Sequence, residues 1–239
     1  MSKKIPLEAL VFDVFGTVVD WRGSLLRELK TFAADRWPGI DWEGFVDDWR
    51  GGYPAAMQRV RSGELPWRSI DQLHRLILDE LLVKYAVTGM SEDEARHVNR
   101  AWHRLDPWPD VAAGLARLKR HFIIGTLSNG NMGLLVAMAK RAGLPWDCVF
   151  SAEIARHYKP DPEAYLMPPT LLGLQPSQVM LVAAHPSDLA GAARAGLRTG
   201  YVPRPLEWGP PGRKYEVDGA AFDVVAKDFG ELADFLGAR

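Results

Sequence analysis

Three short apolar runs constrain the fold of this chain more than any other feature. Residues 8–13 (EALVFD), 122–128 (FIIGTLS) and 179–184 (VMLVAA) each end in or against polar residues, and each is followed by a helix-like segment. None alternates apolar with polar, so each predicts a strand buried on both faces, as in a parallel sheet. Repeated strand–helix units predict an open α/β sheet, in which ligands bind beyond the carboxyl ends of the strands. Asp13, Ser128, Asn129 and Asp188, far apart in the chain, are thereby expected along one edge.

The first two runs are separated by about 100 residues, too many for a loop or a single crossover helix. LLRELKTFAADRW, WEGFVDDWR, SIDQLHRLILDELLVKYAV and SEDEARHVNRAW all space apolar residues three and four apart, and Ser91 with Glu94 forms a capping box. The expectation is a helical cap at 20–104 inserted into a Rossmann-like α/β core of 1–19 and 105–239. The cap should end near LDPWPDV, where Pro107 and Pro109 break the helix. Beyond it, VAAGLARLKR and MGLLVAMAKRAGL predict crossover helices, the second stopped by Gly143. PSDLAGAARAGLRTGYV predicts a helix, a stop at Gly196 and a strand, and DFGELADFLGAR a final helix.

Composition narrows the function class. With 30 acidic and 29 basic residues the formal net charge is −1, which suggests neither a nucleic-acid partner nor a polybasic membrane anchor. The lone Cys148 excludes an internal disulfide and is expected to be a small buried hydrophobe. The N-terminal segment lacks the apolar run of a signal peptide or membrane span, so the cytoplasm is the expected location.

Four motifs carry the chemistry, in chain order: FDVFGTVVD, TLSNG, HYKPDPEAY and AAHPSDLAGA. Together they resemble the four motifs of the haloacid-dehalogenase superfamily, which supply a nucleophilic Asp, a Ser or Thr, a Lys and a further acid. The resemblance implies that Asp13 forms a covalent ester that water cleaves, dividing one hard step into two. Thr17 and Ser128 are then expected to donate to the Asp13 oxygens, and Lys159 to keep the carboxylates ionised. Without these motifs, Asp13 reads as a turn cap and Lys159 as a solvated surface lysine.

Two substitutions separate this chain from the magnesium-dependent phosphatases of the superfamily. Their general acid, two residues after the nucleophile, is replaced by Phe15, which cannot transfer a proton. Their metal-binding Asp is replaced by Ala184, which removes an oxygen ligand that a hard cation requires. The pattern resembles instead the type II L-2-haloacid dehalogenases, which implies no metal, no cofactor and a small haloacid as substrate. In that resemblance Arg50 and Asn129 receive the halide, Tyr165 lies near the substrate carboxylate, Phe15 holds the aromatic position after the nucleophile, and Asp188 activates water. Val14 and Phe15, next to Asp13, and His185, on the loop that must face it, are expected to line the pocket, with Trp67 or Tyr53 of the cap filling space beside Ser187. It also implies a homodimer. Arg50 has a structural alternative, pairing with Asp47 or Asp48.

The fourth motif departs from the group's Ser-Ser-Asn-Ala-Trp-Asp. Here Ala183 and Ala184 replace the serines, His185 the Asn and Ser187 the Trp. A histidine beside Asp13 can carry charge, which suggests help for a departing fluoride and a preference for small haloacetates such as fluoroacetate. Three other functions stay open at this point: a phosphatase or phosphonatase with degenerate motifs, a hydrolase of a strained azetidine ring, and a binding protein on the same fold.

Overall fold

The computed structural model describes residues 7–33, 36–213 and 221–238. Within it the chain divides into two compact units, one built from Trp21–Leu105 and the other from the described residues up to Asp20 and from Asp106 onward. Parts of the expected core and cap, residues 1–6, 34–35, 214–220 and 239, lie outside the described residues.

The Trp21–Leu105 unit is helical: α1 (Trp21–Ala33), α2 (Trp42–Arg61), α3 (Ile70–Lys84) and α4 (Glu92–Asn99), followed by a 3₁₀ turn over Arg100–Arg104. Helix α1 begins four residues earlier than its apolar spacing suggests. The Ser91–Glu94 capping box forms as expected, and Ser69 with Gln72 makes a second one at α3. Inside the unit, aromatic rings supply much of the packing: Trp21, Trp49 and Trp102 are fully buried, and Trp49 meets Trp102 edge-on at 5.6 Å.

The other unit is an α/β core. Its sheet contains β1 (Ala9–Phe12), β4 (Ile123–Ser128), β5 (Cys148–Ser151), β6 (Val179–Ala183), β7 (Arg198–Tyr201) and β8 (Val224–Val225), in the order β5-β4-β1-β6-β7-β8 and all parallel. The short strands β2 (Val19–Asp20) and β3 (Asp106–Pro107) pair antiparallel where the chain leaves and re-enters the core. Helices α5 (Val111–Leu118), α6 (Met132–Ala142), α7 (Ala152–Ala155), α8 (Pro162–Leu172), α9 (Pro186–Arg194) and α10 (Phe229–Phe235) complete it. Every residue of β1 and β6 is buried, the environment that an unbroken apolar run requires. Each fully buried Leu, Val or Phe in these strands contributes about 1.5–3 kcal/mol.

Gly143 ends α6 with φ +64°, and Gly196 follows α9 with φ +87°, the left-handed stops expected at both positions. Cys148 differs from expectation. It begins the edge strand β5 and is only half-buried, because an edge strand has no neighbour on one side.

Register sets the site. Phe12 lies opposite Thr126 of β4 and Val182 of β6, so the residues following these strands emerge at the same sheet edge. The Asp13 amide donates to the Val182 carbonyl at 3.0 Å, which continues the ladder one residue further and fixes where the Asp13 side chain starts.

Candidate active site

Asp13 is buried at the carboxyl end of β1, and both of its oxygens are hydrogen-bonded. Lys159 Nζ donates to Oδ1 at 2.8 Å. Thr17 Oγ donates to Oδ2 at 2.7 Å, and His185 Nδ1 lies 3.1 Å from the same oxygen. The direction of the Thr17 bond is defined by its neighbour: Thr17 Oγ accepts from the Ala184 amide at 2.9 Å, so its proton is free for Asp13. Lys159 also donates to Asp188 Oδ2, whose other oxygen accepts from the Tyr165 hydroxyl at 2.7 Å.

One ammonium thus bridges two buried carboxylates. Burial alone would push the Asp13 carboxyl up, but the Lys159 charge and the His185 contact override it and hold Asp13 well below the usual carboxylate range. Lys159 is held above its ordinary value, because the Asp13 and Asp188 charges outweigh its burial. Asp188 is raised, first by burial and then by the Asp13 charge, with Lys159 opposing. The Tyr165 hydroxyl is raised by burial and by Asp188, so it remains a donor.

His185 begins α9 and reaches two carboxylates. Besides Asp13, its Nε2 lies 2.9 Å from Oε2 of Glu207, a residue only 2% exposed. Burial disfavours the imidazolium, yet the bonds to Asp13 and Glu207 override it and push the ring up to about 10. Glu207 was not foreseen. It lies in the loop after β7, with no spacing that ties it to His185; the one available signal was a histidine at an edge already crowded with carboxylates.

Several of the expected residues meet partners other than the substrate. Ser128 does not bond Asp13: its Oγ accepts from the Gly130 amide at 3.1 Å, which shapes the turn after β4. Asn129 clamps the Lys159 backbone, accepting from its amide at 2.7 Å and donating to its carbonyl at 3.5 Å, so it positions the lysine. The Tyr165 hydroxyl serves Asp188. Val14 is buried, and its carbonyl accepts from the Val18 and Val19 amides, which places it in the turn that carries Thr17. Neither ring nitrogen of His185 is left to face a departing halide, since both face carboxylates.

Arg50 and Trp67 belong to the helical unit. Arg50 sits on α2 with its guanidinium 4.8 Å from the Tyr53 ring centre and 5.8 Å from that of Trp21. The two acids that offered it a structural role are otherwise engaged: Asp47 pairs with Arg22 at 2.7 Å, and Asp48 with Lys84 and Tyr85. Trp67 is half-buried between α2 and α3.

The residues do not suit a divalent cation. Phe15 is buried, and its ring would lie 3.1 Å from a Cβ placed on Gly130. Ala184 offers no side-chain oxygen, and the Lys159 ammonium stands between the two carboxylates that a metal would need.

A parallel sheet with an acid, a lysine and a second acid at its carboxyl edge, and a helical insertion after the first strand, defines the haloacid dehalogenase-like hydrolases. The model of that family matches residues 7–196, and the chain belongs to it. Several of its relatives within the family are dehalogenases. A crystal structure of a defluorinating L-2-haloacid dehalogenase is 42% identical, with a TM-score of 0.93, covering 97% of this chain and 96% of that one. Another L-2-haloacid dehalogenase structure is also 42% identical, with a TM-score of 0.90 and coverage of 96% and 99%. The (S)-2-haloacid dehalogenase of Xanthobacter autotrophicus is 29% identical over 210 residues, 83% of this chain and 76% of that protein.

Proposed function

We propose that this protein hydrolyses the carbon–halogen bond of short L-2-haloalkanoic acids, leaving a D-2-hydroxy acid, halide and a proton. The observation that carries the reading is Asp13 itself. It is a strand-end carboxylate kept ionised by Lys159, in a site where Phe15 and Ala184 have replaced the acid and metal ligand of a phosphatase. Relatives described as (S)-2-haloacid and L-2-haloacid dehalogenases support the same activity.

In this reading Asp13 attacks C2 from the side opposite the halogen. The carbon–halogen bonding pair leaves with the halide, and a C2–O bond to Asp13 forms with inversion. Arg50, from a helical unit that acts as a cap, receives the halide as charge develops. Its guanidinium makes no ion pair among the described residues, and Asp47 and Asp48 are committed elsewhere. Asp188 then takes a proton from water, which attacks the aspartyl ester carbon and frees the hydroxy acid. Tyr165 and Lys159 hold Asp188, and Asn129 holds Lys159. Phe15 and Trp67 are assigned to the substrate pocket. We further propose a cytoplasmic homodimer; no helix among the described residues is long and apolar enough to cross a membrane.

The test is halide release from a panel of L-2-haloacids, with Asp13→Asn as the control. The variant should keep its fold and lose turnover, because an amide forms no ester. In a single turnover in heavy-oxygen water, label should appear in Asp13 and not in the product. Label passing directly into the product would exclude the covalent route.

A further inference from the structure

The contact between His185 and Glu207 has no part in the reaction as described so far. A neutral imidazole carries one N–H. With Nδ1 at 3.1 Å from Asp13 Oδ2 and Nε2 at 2.9 Å from Glu207 Oε2, either neutral tautomer would set a lone pair against a carboxylate oxygen. Only the imidazolium donates at both ends. Glu207 is built into place. Arg204, three residues earlier in the same loop, donates to the Thr17 carbonyl at 2.9 Å and grips Asp110 with two bonds of 2.7 and 2.9 Å. Gly16, in the turn after Asp13, leaves the space: a Cβ there would lie 2.2 Å from Glu207 Oε1. Its φ of +86° is a second reason for glycine.

The two oxygens of Asp13 are therefore unequal. Among the described residues Oδ1 accepts from Lys159 alone, whereas Oδ2 takes both Thr17 and His185. The less saturated Oδ1 is the oxygen that attacks carbon, and Oδ2 becomes the carbonyl oxygen of the ester. We propose that Glu207 is a positioning residue that holds His185 charged against Oδ2, and that His185 and Thr17 together form the oxyanion hole for hydrolysis of the aspartyl ester. This rests on the dehalogenase reading above.

The timing of charge explains why an acid outside the nucleophile is needed. Once the ester forms, Asp13 is neutral and no longer supports an imidazolium. Glu207 keeps the ring charged through that interval. Water, deprotonated by Asp188, then adds to Cγ, the C=O pair moves onto Oδ2, and the new anion meets His185 and Thr17. Collapse restores C=O at Oδ2 and breaks the Cγ–Oδ1 bond, so Oδ1 leaves with the product and takes the proton held by Asp188. The groups around His185 are Asp13, Glu207, the Lys159–Asp188 pair beyond Asp13, and the N-terminus of α9, which opposes positive charge.

The experiment uses the full chain and L-2-chloropropionate, with chloride release followed by rapid quench and the ester followed by protein mass. Wild type should release chloride over many turnovers, with ester hydrolysis far less dependent on pH between about 6 and 9 than in the Glu207 variant, because Glu207 supports the charged ring while Asp13 is esterified. Glu207→Gln should still release a first equivalent of chloride and then accumulate the Asp13 adduct. Its hydrolysis should fall about 100-fold at pH 9, the loss typical of one oxyanion donor. It should recover as pH falls, because a buried ring without either carboxylate charges only at lower pH. His185→Asn, which keeps a neutral donor, should accumulate the adduct without pH recovery, and it serves if Glu207→Gln does not fold. Ester hydrolysis by Glu207→Gln at the wild-type rate from pH 6 to 9 would overturn the proposal. So would slowed chloride release with no adduct, or a smaller burst with normal turnover per active site, which marks a structural role. No chloride from wild type with any haloacid would instead overturn the dehalogenase reading beneath it.

Discussion

Replacing Lys159 by Met removes one ammonium and little volume, which isolates the charge at the centre of the site. The Nζ lies 2.8 Å from Asp13 and also bonds Asp188, and all three side chains are 9–10% exposed. At an effective dielectric near 20, a pair at this distance attracts with roughly 6 kcal/mol, most of it offset by the cost of burial. Breaking such a pair by deleting one partner costs about 3–5 kcal/mol, because an uncompensated charge stays buried. Asp13 keeps Thr17 and His185, whereas the Asp188 carboxylate keeps only Tyr165 among the described residues, so Asp188 is the group that takes up a proton in the variant. In wild type the depressed Asp13 contributes stability that is present above its unfolded value near 3.9 and lost as pH falls through its folded one. The raised Lys159 contributes stability that is complete below about 10.5 and lost only as pH rises beyond it. Neither titrates between about pH 6 and 8, and His185 is raised in both proteins, so its slope drops out of the difference. Asp188 is already raised in wild type, and losing the Lys159 charge raises it further, so the variant has the steeper slope, losing up to about 1.4 kcal/mol per pH unit while its folded state binds one extra proton. Urea denaturation should therefore show a deficit of about 3–5 kcal/mol at pH 8, smaller by about 1–2 kcal/mol at pH 6. A deficit below about 1 kcal/mol, or one equal at both pH values, would refute the bridging role.

Three further outcomes follow from the site. Chelating divalent metals should leave dehalogenation unchanged; loss of activity with EDTA that magnesium restores would contradict the role given to Phe15, Ala184 and Lys159. Arg50→Ala should slow formation of the ester by about 2–4 kcal/mol in barrier, with Lys a poor substitute for the planar guanidinium, as measured by the first-turnover halide burst. The ratio of fluoroacetate to chloroacetate turnover should be the same in wild type and His185→Asn when ester hydrolysis limits both, since the ring nitrogens face carboxylates. A ratio that drops in the variant would return His185 to the halide.

The fold was legible where one local signal sufficed. Buried strands appear as unbroken apolar runs, and β1, β4 and β6 lie within a residue or two of their runs. Helix ends appear where a cap or glycine acts locally, as at Ser91 and Gly143. The elements that escaped notice lack such signals. The edge strand β5 has four residues, two of them only half-buried. Helix α8 contains Pro168 and Pro169 and has little amphipathic contrast, so neither its period nor its composition identifies it. It forms because its buried residues, Tyr165 among them, pack on the core, and Gly191 on α9 admits the Tyr165 hydroxyl, which would lie 2.5 Å from a Cβ there. Tertiary packing overrides propensity at that position.

The site divides along a different line. Asp13, Thr17 and Asp188 were readable because each closely follows a strand, and the parallel sheet brings all such positions to one edge. Lys159, which lies beyond α7, was readable only through its Lys-Pro-Asp-Pro motif. Ser128 and Asn129 were correctly placed at that edge, but their bonds depend on the turn between β4 and α6 and on the Lys159 backbone, which strand order does not specify. Glu207 lies beyond the strand-end rule altogether. It arrives through a loop whose path is set by Arg204 on Asp110 and by the room Gly16 leaves, three residues that no spacing connects. Physical reasoning still bounds where such a residue must come from. A histidine that replaces a neutral Asn beside an anionic nucleophile carries a charge that the nucleophile itself gives up during the reaction. A second buried acid is the group able to hold it, and β7, next to β6 in the sheet, is the strand whose following loop can deliver one.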